Sequence, residues 1–293
     1  MLIAPARAAR PHDAGGSSGD DDCPFCEGNE DQTPPELMAV RLGEGPADGP
    51  GWVVRAIPNK FPVLPPDEGI HEVVINAPRH VVRLSDLTEE EVGRAGEAWA
   101  LRLQAIGADP RGLWPFLFLN QGERAGASLQ HSHAQLVGLP LEPPLLLARE
   151  RAFEEAPACP ICADLAGAGE RRVARADGLV AWTPGVPPYT GTIRIAPERH
   201  SPDWTDDPGP GAAARLVRRL AGLVGARLGA DALNLWLHQR RPGGGRRYHW
   251  HIDLVPRVGT LAGLELGAGV VAVAVSPDDT AARLRADPVA ADA

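Results

Sequence analysis

Short apolar runs separated by polar turns recur along most of this chain, and their lengths are typical of β-strands. In the first half, segments rich in Val, Ile, Leu or Phe predict strands at 52–57, 72–76, 115–119 and 134–139. A helix is predicted over about 86–106, because Thr88 followed by Glu91 forms a capping-box pattern.

The second half repeats this order of elements. It predicts a helix at 211–228 and strands at 178–182, 191–196, 233–237 and 250–255. A last strand at 270–275 is expected to lead into a short helix from Pro277. Prolines flank a predicted connecting helix at 141–157. The sequence thus predicts an α+β fold with mostly antiparallel strands, divided into halves at 1–140 and 158–293.

The composition indicates a folded, acidic protein. A formal net charge of −9 argues against nucleic-acid or membrane-surface partners, because both require a positive field. The 33 glycines and 30 prolines cluster between apolar strands. The Gly-, Ser- and Asp-rich segment 11–22 is the exception, and we expect it to be mobile. Lys60 is the only lysine of the chain.

All four cysteines lie in two Cys-Pro-x-Cys pairs. Disulfides would be expected in a small secreted protein, but no signal peptide is visible at Met1-Leu-Ile-Ala-Pro. No apolar run reaches membrane-spanning length either. We therefore expect a cytoplasmic protein with reduced thiols.

Each cysteine pair begins a pattern of histidines that occurs twice. The first pair, Cys23-Pro-Phe-Cys26, is followed by His80, His131 and His133. The second pair, Cys159-Pro-Ile-Cys162, is followed by His200, His249 and His251. Recurrence of the same landmarks in the same order predicts an internal duplication.

Two thiolates three residues apart, together with two imidazoles, form the ligand set that tetrahedral Zn²⁺ prefers. We predict two such sites, formed by Cys23, Cys26, His80 and His131, and by Cys159, Cys162, His200 and His249. A DNA-binding zinc finger would need far shorter intervals between its ligand pairs, and a single four-cysteine site is the other alternative. Four protein ligands leave no open position, so the metal is expected to be structural.

The stretch from Asn120 to Gln135 carries the candidate chemistry. His131 and His133 face the same side if they lie in a strand. The small residues before them let backbone N–H groups and the Ser128 hydroxyl approach an anion. Because a neutral imidazole can attack phosphorus, this arrangement suggests phosphoryl or nucleotidyl transfer. A His-x-His pair alone is also typical of metal ligands.

These motifs resemble the galactose-1-phosphate uridylyltransferase family of the histidine-triad superfamily. The matching segments are Ala4-Pro-Ala-Arg7-Ala-Ala-Arg10-Pro11, Cys23-Pro-Phe-Cys-Glu-Gly-Asn-Glu30, Thr33-Pro-Pro-Glu36, Pro58-Asn59-Lys-Phe-Pro62, His71-Glu-Val-Val-Ile75, the Asn120 to Gln135 stretch and Gly263-Leu-Glu265. The resemblance implies a duplicated histidine-triad fold and a double-displacement reaction, in which His133 becomes covalently nucleotidylated. Because relatives are commonly dimers, the resemblance also implies that this chain could form a homodimer.

The resemblance further assigns roles to individual residues. His131 would be a zinc ligand, and Ser128 and Gln135 would contact the transferring phosphoryl group beside Gly126 and Ala127. Asn59 and Asn120 would help to bind the nucleotide. Arg7 and Arg10 would lie near its phosphates, or else form a solvated arm. In the second half, Asp253 replaces the glutamine, so His251 is expected to be a degenerate position.

Two features bear on the reaction. A glutamine at position 135 cannot shuttle a proton as a third histidine could, which favours transfer over hydrolysis. His131-Ser-His133 differs from the His-Pro-His of uridylyltransferases proper and resembles a sub-branch that includes ADP-glucose phosphorylase. The leading hypothesis is UDP-glucose–hexose-1-phosphate uridylyl transfer in galactose metabolism. The alternatives are phosphorolysis of a sugar nucleotide and a non-catalytic zinc- and nucleotide-binding scaffold.

Overall fold

The computed structural model describes residues 2, 4–9 and 22–285, so Arg10 and nearly all of segment 11–22 lie outside the described residues. Ten strands form one sheet: Met38–Arg41 (β1), Trp52–Pro58 (β2), Ile70–Ile75 (β3), Trp114–Gln121 (β4), His133–Leu139 (β5), Arg172–Ala176 (β6), Leu179–Trp182 (β7), Ile193–Pro197 (β8), Leu233–His238 (β9) and His251–Pro256 (β10).

The described part of the chain also contains six α-helices. They are Glu89–Gly107 (α1), Pro144–Glu155 (α2), Pro160–Ala166 (α3), Gly209–Leu228 (α4), Gly263–Ala268 (α5) and Pro277–Arg285 (α6). Short 3₁₀ helices lie at Pro5–Ala9, Glu30–Gln32, Leu84–Asp86, Glu123–Ala125 and Gly169–Arg171. None of these helices combines the length and the apolar character that crossing a bilayer requires.

The strand order shows the duplication directly. The sheet runs β1-β2-β3-β5-β4-β9-β10-β8-β7-β6, and every neighbouring pair is antiparallel. Outward from the central pair β4 and β9, each half repeats the same order of five strands. The predicted α+β fold with two similar halves is confirmed. One continuous sheet spans both halves and so does not mark where one ends and the other begins. The boundary at 141–157 therefore stays a prediction.

Helices α1 and α4 pack against each other and cover one face of the sheet. Strand alternation sends Ala134 and Leu136 of β5 into this helix-covered core. His133 and Gln135 therefore face the opposite side of the sheet. The same alternation in β10 separates core residues Ile252 and Leu254 from the polar side chains beside them. The polar face of the sheet is consequently where chemistry is possible.

The start of α1 confirms the predicted capping box. The Thr88 side chain accepts from the Glu91 backbone N–H at 3.1 Å, and the Glu91 carboxylate accepts from the Thr88 N–H at 2.7 Å. These two bonds satisfy backbone donors that have no partner within the helix.

The prediction of a strand at 270–275 is wrong, because these residues form no strand in the structure. Val270 and Val273 are 55% and 40% exposed there, and a short apolar run without a neighbouring strand cannot form a ladder. Conversely, β1 and β6 were not predicted. Both are edge strands that are buried on neither face, so their apolar signal is weak.

The close packing of α1 on α4 leads to a stability prediction. A Cβ atom at Gly96 would lie 2.6 Å from the Pro210 carbonyl oxygen and 2.7 Å from the Ala214 Cβ. We expect Gly96→Ala to destabilise the fold by about 1–3 kcal/mol, because overpacking outweighs the gain in helix propensity. Urea unfolding would measure this change.

Gly225→Ala in α4 is the matched control. A Cβ there meets nothing within 4 Å, so the substitution should stabilise the protein by up to about 1 kcal/mol. Equal effects of the two substitutions would contradict the packing argument.

Candidate active site

His133 begins β5 and lies between two cavities on the polar face of the sheet. The larger cavity has a volume of about 480 Å³, and the smaller one about 210 Å³. Predicted site residues Asn59, Ser128 and Gln135 line the larger cavity with His133. Asn120 and Ala127 line the smaller one, again with His133. The fold therefore gathers most of the predicted site residues around one imidazole.

Local bonds fix the orientation of the His133 ring. Its Nδ1 lies 2.6 Å from the backbone carbonyl oxygen of His131, which can only accept, so Nδ1 carries the proton. The lone pair of the neutral ring is consequently on Nε2. The Phe25 ring packs edge-on against the His133 ring, with centroids 5.3 Å apart. His133 thus has the tautomer and the restraint that a nucleophile at Nε2 requires.

The turn before β5 differs in detail from the predicted anion cradle. Gly126 has a φ of 83°, which favours glycine at this position. The backbone N–H groups of Gly126 and Ala127 donate to the carbonyls of Glu123 and Gly122 within the turn, at 2.8 and 3.2 Å. Ser128 is therefore the part of this segment that is best placed to contact a ligand in the larger cavity.

Of the two predicted arginines, the structure describes Arg7. Arg7 lies in the 3₁₀ helix Pro5–Ala9, and the described residues that line the two cavities do not include it. Arg10 lies outside the described residues.

The structure brings together the first predicted metal-ligand set, which includes His131, two residues before His133. The side chains of Cys23, Cys26, His80 and His131 place one ligand atom each within 4.8 Å of one another, and the group could hold a metal ion. Sulfur-to-Nδ1 distances are 3.4 Å for Cys23 to His131 and 3.5 Å for Cys26 to His80. His131 Nε2 donates to the Ala77 carbonyl at 2.9 Å, which leaves Nδ1 as the acceptor facing sulfur. Burial lowers the pKa of His131 to about 4, so its ring is neutral at pH 7.

The second set, Cys159, Cys162, His200 and His249, is also brought together. Cys162 Sγ lies 3.4 Å from His249 Nδ1 and 3.8 Å from His200 Nδ1. Burial and the neighbouring Cys159 raise the pKa of the Cys162 thiol to about 11, so a cation would be needed to hold a thiolate at neutral pH.

The position equivalent to His133 in the second half is blocked. His251 is fully buried, and its Nε2 lies 2.7 Å from an Arg149 nitrogen contributed by α2. The Phe153 ring, also from α2, lies 6.3 Å from the His251 ring. The lone pair that would serve as a nucleophile is instead directed at a guanidinium. This arrangement agrees with the expectation that His251 is degenerate.

Asp253 occupies the position that Gln135 has in the first half, and it forms a buried ion pair. Arg194 donates to both of its oxygens, at 2.8 and 3.1 Å, and Asp253 is fully buried. Burial alone would raise the pKa of Asp253, but Arg194 and His238 lower it well below its ordinary value. His238, His251 and Asp253 could also hold a metal by proximity alone. The two arginines beside them make a cation unfavourable there.

The arginine cluster at 240–247 is engaged within the chain. Arg240 binds Asp203, and Arg247 donates to the Glu154 and Ala156 carbonyls. Arg241 pairs with Glu142 and Glu150. These three side chains therefore stabilise the loop through contacts within the chain.

Sequence reasoning missed Phe25, His71 and Asn234 at this site. Phe25 lies inside the Cys-Pro-Phe-Cys motif, so its position beside the first metal-ligand set was a usable signal. His71 and Asn234 contact predicted site residues across strands, and a single sequence carries no signal of those contacts.

Comparisons with known proteins point to two kinds of relative. The galactose-1-phosphate uridyl transferase N-terminal domain matches residues 56–143. ADP-glucose phosphorylase of Arabidopsis thaliana is 29% identical over 97% of this chain and 89% of that protein. Galactose-1-phosphate uridylyltransferase of Thermotoga maritima is also 29% identical, but over 45% of this chain and 43% of that protein.

A solved structure extends the match to the fold. The crystal structure of A. thaliana ADP-glucose phosphorylase with bound ADP-glucose has a TM-score of 0.83 and 28% identity, covering 98% of this chain and 94% of that one. The predicted α+β fold is thus shared with this solved structure over nearly the whole chain.

The buried ion pair of the second half gives a stability prediction. Arg194→Met should destabilise the protein by about 3–5 kcal/mol, because it leaves the Asp253 carboxylate buried with its main partner removed. Differential scanning calorimetry at pH 7 would measure the loss. Arg175→Met is the control, since Arg175 and its partner Glu198 are 65% and 45% exposed. We expect less than about 1 kcal/mol there, and an equal loss would contradict the argument.

Proposed function

We propose that this chain, a relative of the galactose-1-phosphate uridylyltransferase family, is a sugar-nucleotide phosphorylase that works through a covalent nucleotidyl intermediate on His133. The nucleotide we favour is the adenine nucleotide of ADP-glucose, and the acceptor is inorganic phosphate. The observation that carries the proposal is the position of His133. Its Nε2 bears the lone pair, and the ring lines two cavities together with Ser128, Gln135 and Asn120.

In the first step, His133 Nε2 attacks the α-phosphorus and a P–N bond forms. The bond from that phosphorus to the bridging oxygen breaks, and glucose 1-phosphate leaves with the bonding electrons. The imidazole ring then carries a positive charge. The His131 carbonyl, which accepts from Nδ1–H at 2.6 Å, stabilises that charge.

In the second step, an oxygen of inorganic phosphate attacks the same phosphorus. The P–N bond breaks, its electrons return to Nε2, and ADP is released. The Ser128 hydroxyl and the Gln135 amide would stabilise the phosphoryl oxygens in both steps. A glutamine can neither take a proton from water nor give one to a leaving group, which is why transfer is favoured over hydrolysis.

The sequence alone placed uridylyl transfer to a hexose 1-phosphate ahead of phosphorolysis, and the comparisons favour the reverse order. The similarity to ADP-glucose phosphorylase spans 97% of the chain, whereas that to the T. maritima uridylyltransferase spans 45%. The His131-Ser-His133 motif also supports the phosphorylase. The scaffold hypothesis is weaker, because a scaffold needs neither the His133 tautomer nor the cavities.

We further propose that both Cys2His2 groups bind structural Zn²⁺. In a tetrahedron with Zn–S of about 2.3 Å and Zn–N of about 2.0 Å, sulfur and nitrogen ligands lie about 3.5 Å apart. The sulfur-to-nitrogen distances of 3.4–3.8 Å in the two groups fit this value. Metal at the first site would anchor His131 and thereby the strand that begins at His133.

Intact-protein mass spectrometry tests the mechanism. After brief incubation with ADP-glucose alone, the protein should gain the mass of one AMP, and His133→Ala should gain none. Added phosphate should remove the adduct and release ADP. UDP-glucose tested in parallel distinguishes the two nucleotides. The absence of an adduct with both donors, on folded metal-replete protein, would contradict the proposed chemistry.

Elemental analysis tests the zinc sites. We expect about two zinc ions per chain in the unmutated protein and in His133→Ala, and about one in either Cys26→Ser or Cys162→Ser. Cys26→Ser should also slow adduct formation, because it loosens the segment that holds His133. Cys162→Ser, which acts on the other half, is the matched control. One zinc or none in the unmutated protein would refute the pair of sites.

A further inference from the structure

We propose that Asn234 and His71 are positioning residues that set the amides of Asn120 and Gln135 with their NH₂ groups toward the substrate phosphate. The inference rests on the proposed function. Each residue belongs to a short relay of hydrogen bonds that begins at a backbone group, and each relay ends at an amide lining a cavity beside His133.

The first relay begins at the carbonyl oxygen of Ala125, in the turn before Ser128. Asn234 Nδ2 lies 2.9 Å from this oxygen, and a carbonyl can only accept, so the amide nitrogen of Asn234 must face it. The same nitrogen donates its second proton to Asn120 Oδ1 at 2.8 Å. The orientation of Asn120 is thereby fixed, with its oxygen on Asn234 and its NH₂ group left for the cavity.

The second relay begins at the backbone N–H of Val63. This group donates to His71 Nδ1 at 3.1 Å, so the proton of the neutral His71 ring must lie on Nε2. The atom that can accept it is Gln135 Oε1, at 3.1 Å. Asn59 Nδ2 is equally close to Nε2, but it is a donor. Its own oxygen cannot turn to replace it, because that oxygen accepts from the Phe61 N–H at 2.8 Å.

Both relays produce the polarity that a phosphoryl group needs. The oxygens of the transferring phosphate are negatively charged, so an amide NH₂ group stabilises them and an amide oxygen repels them. An amide can rotate by half a turn with little steric change, and the wrong rotamer would place an acceptor against phosphate. The relays exclude that rotamer before any substrate arrives.

The first relay also assigns a task to the second half of the chain. Asn234 lies in β9, opposite Asn120 of β4, at the pair of strands that joins the halves. The half whose own histidine is blocked by Arg149 therefore supplies a residue that orients the catalytic half.

The test is the rate of the first step in a single turnover with ADP-glucose, followed by intact mass. Asn234→Asp has nearly the same shape, but its carboxylate cannot donate to Asn120 Oδ1, so Asn120 should turn its NH₂ group away from the substrate. We expect a rate loss of about 100-fold, comparable to the loss of one oxyanion donor. Asn234→Ala, which only frees the amide to rotate, should lose about 10-fold.

Gln104→Glu, on the exposed side of α1, is the control for adding a carboxylate and should react at the unmutated rate. A double-mutant cycle with Asn120→Ala separates positioning from a structural role. Because Asn234 acts through Asn120, adding Asn234→Asp to Asn120→Ala should cost less than about threefold more. His71→Phe combined with Gln135→Ala should behave in the same way.

The inference is overturned if Asn234→Asp forms the adduct at the unmutated rate, or if the losses in both cycles multiply independently. If Asn234→Asp does not fold, Asn234→Ala provides the same test without an added charge. Failure of the unmutated protein to form any adduct is a different result, which would refute the proposed function and this inference with it.

Discussion

The antiparallel pairing of β4 with β9 is the contact on which the rest of the molecule depends. It joins two five-stranded units into one sheet, places Asn120 opposite Asn234, and brings α1 against α4 on the covered face. The hydrogen bonds of this pairing are formed by backbone groups of the two strands. The two halves could therefore diverge in their polar residues while the common core of small and aliphatic side chains was retained.

The divergence is visible at equivalent positions. In the first half, Gln135 accepts from a neutral histidine and lines an open cavity. In the second, Asp253 forms a buried ion pair with Arg194, and Arg149 is directed at His251, the histidine that corresponds to His133. Charges that are buried and paired make a rigid interior, whereas neutral amides beside a cavity can exchange their contacts for those of a ligand. The same duplicated fold thus supports a candidate reactive centre in the first half and a closed, ion-paired interior in the second.

Much of this could be predicted from the sequence, because the strong signals were local or repeated. The capping box at Thr88 and the two cysteine-histidine sets follow from residue type and spacing, and the structure assembles each of them. The strand at 270–275 failed because an apolar run does not reveal whether a partner strand exists. Asn234 was not found, and His71 was noted only within a matching segment, since the roles of both arise only when distant strands are paired. The polarity of an amide likewise depends on backbone groups that no motif encodes.

Lys60 offers an experimental consequence of an unusual composition. It is the only lysine of the chain, it is exposed, and it lines the larger cavity beside His133. An amine-directed fluorophore would therefore attach at this one side chain and, apart from it, at the terminal amine alone. The protein carries a built-in attachment point for a dye at the rim of its candidate catalytic cleft, without the introduction of any foreign residue. Occupancy of that cleft could be followed optically in the natural sequence.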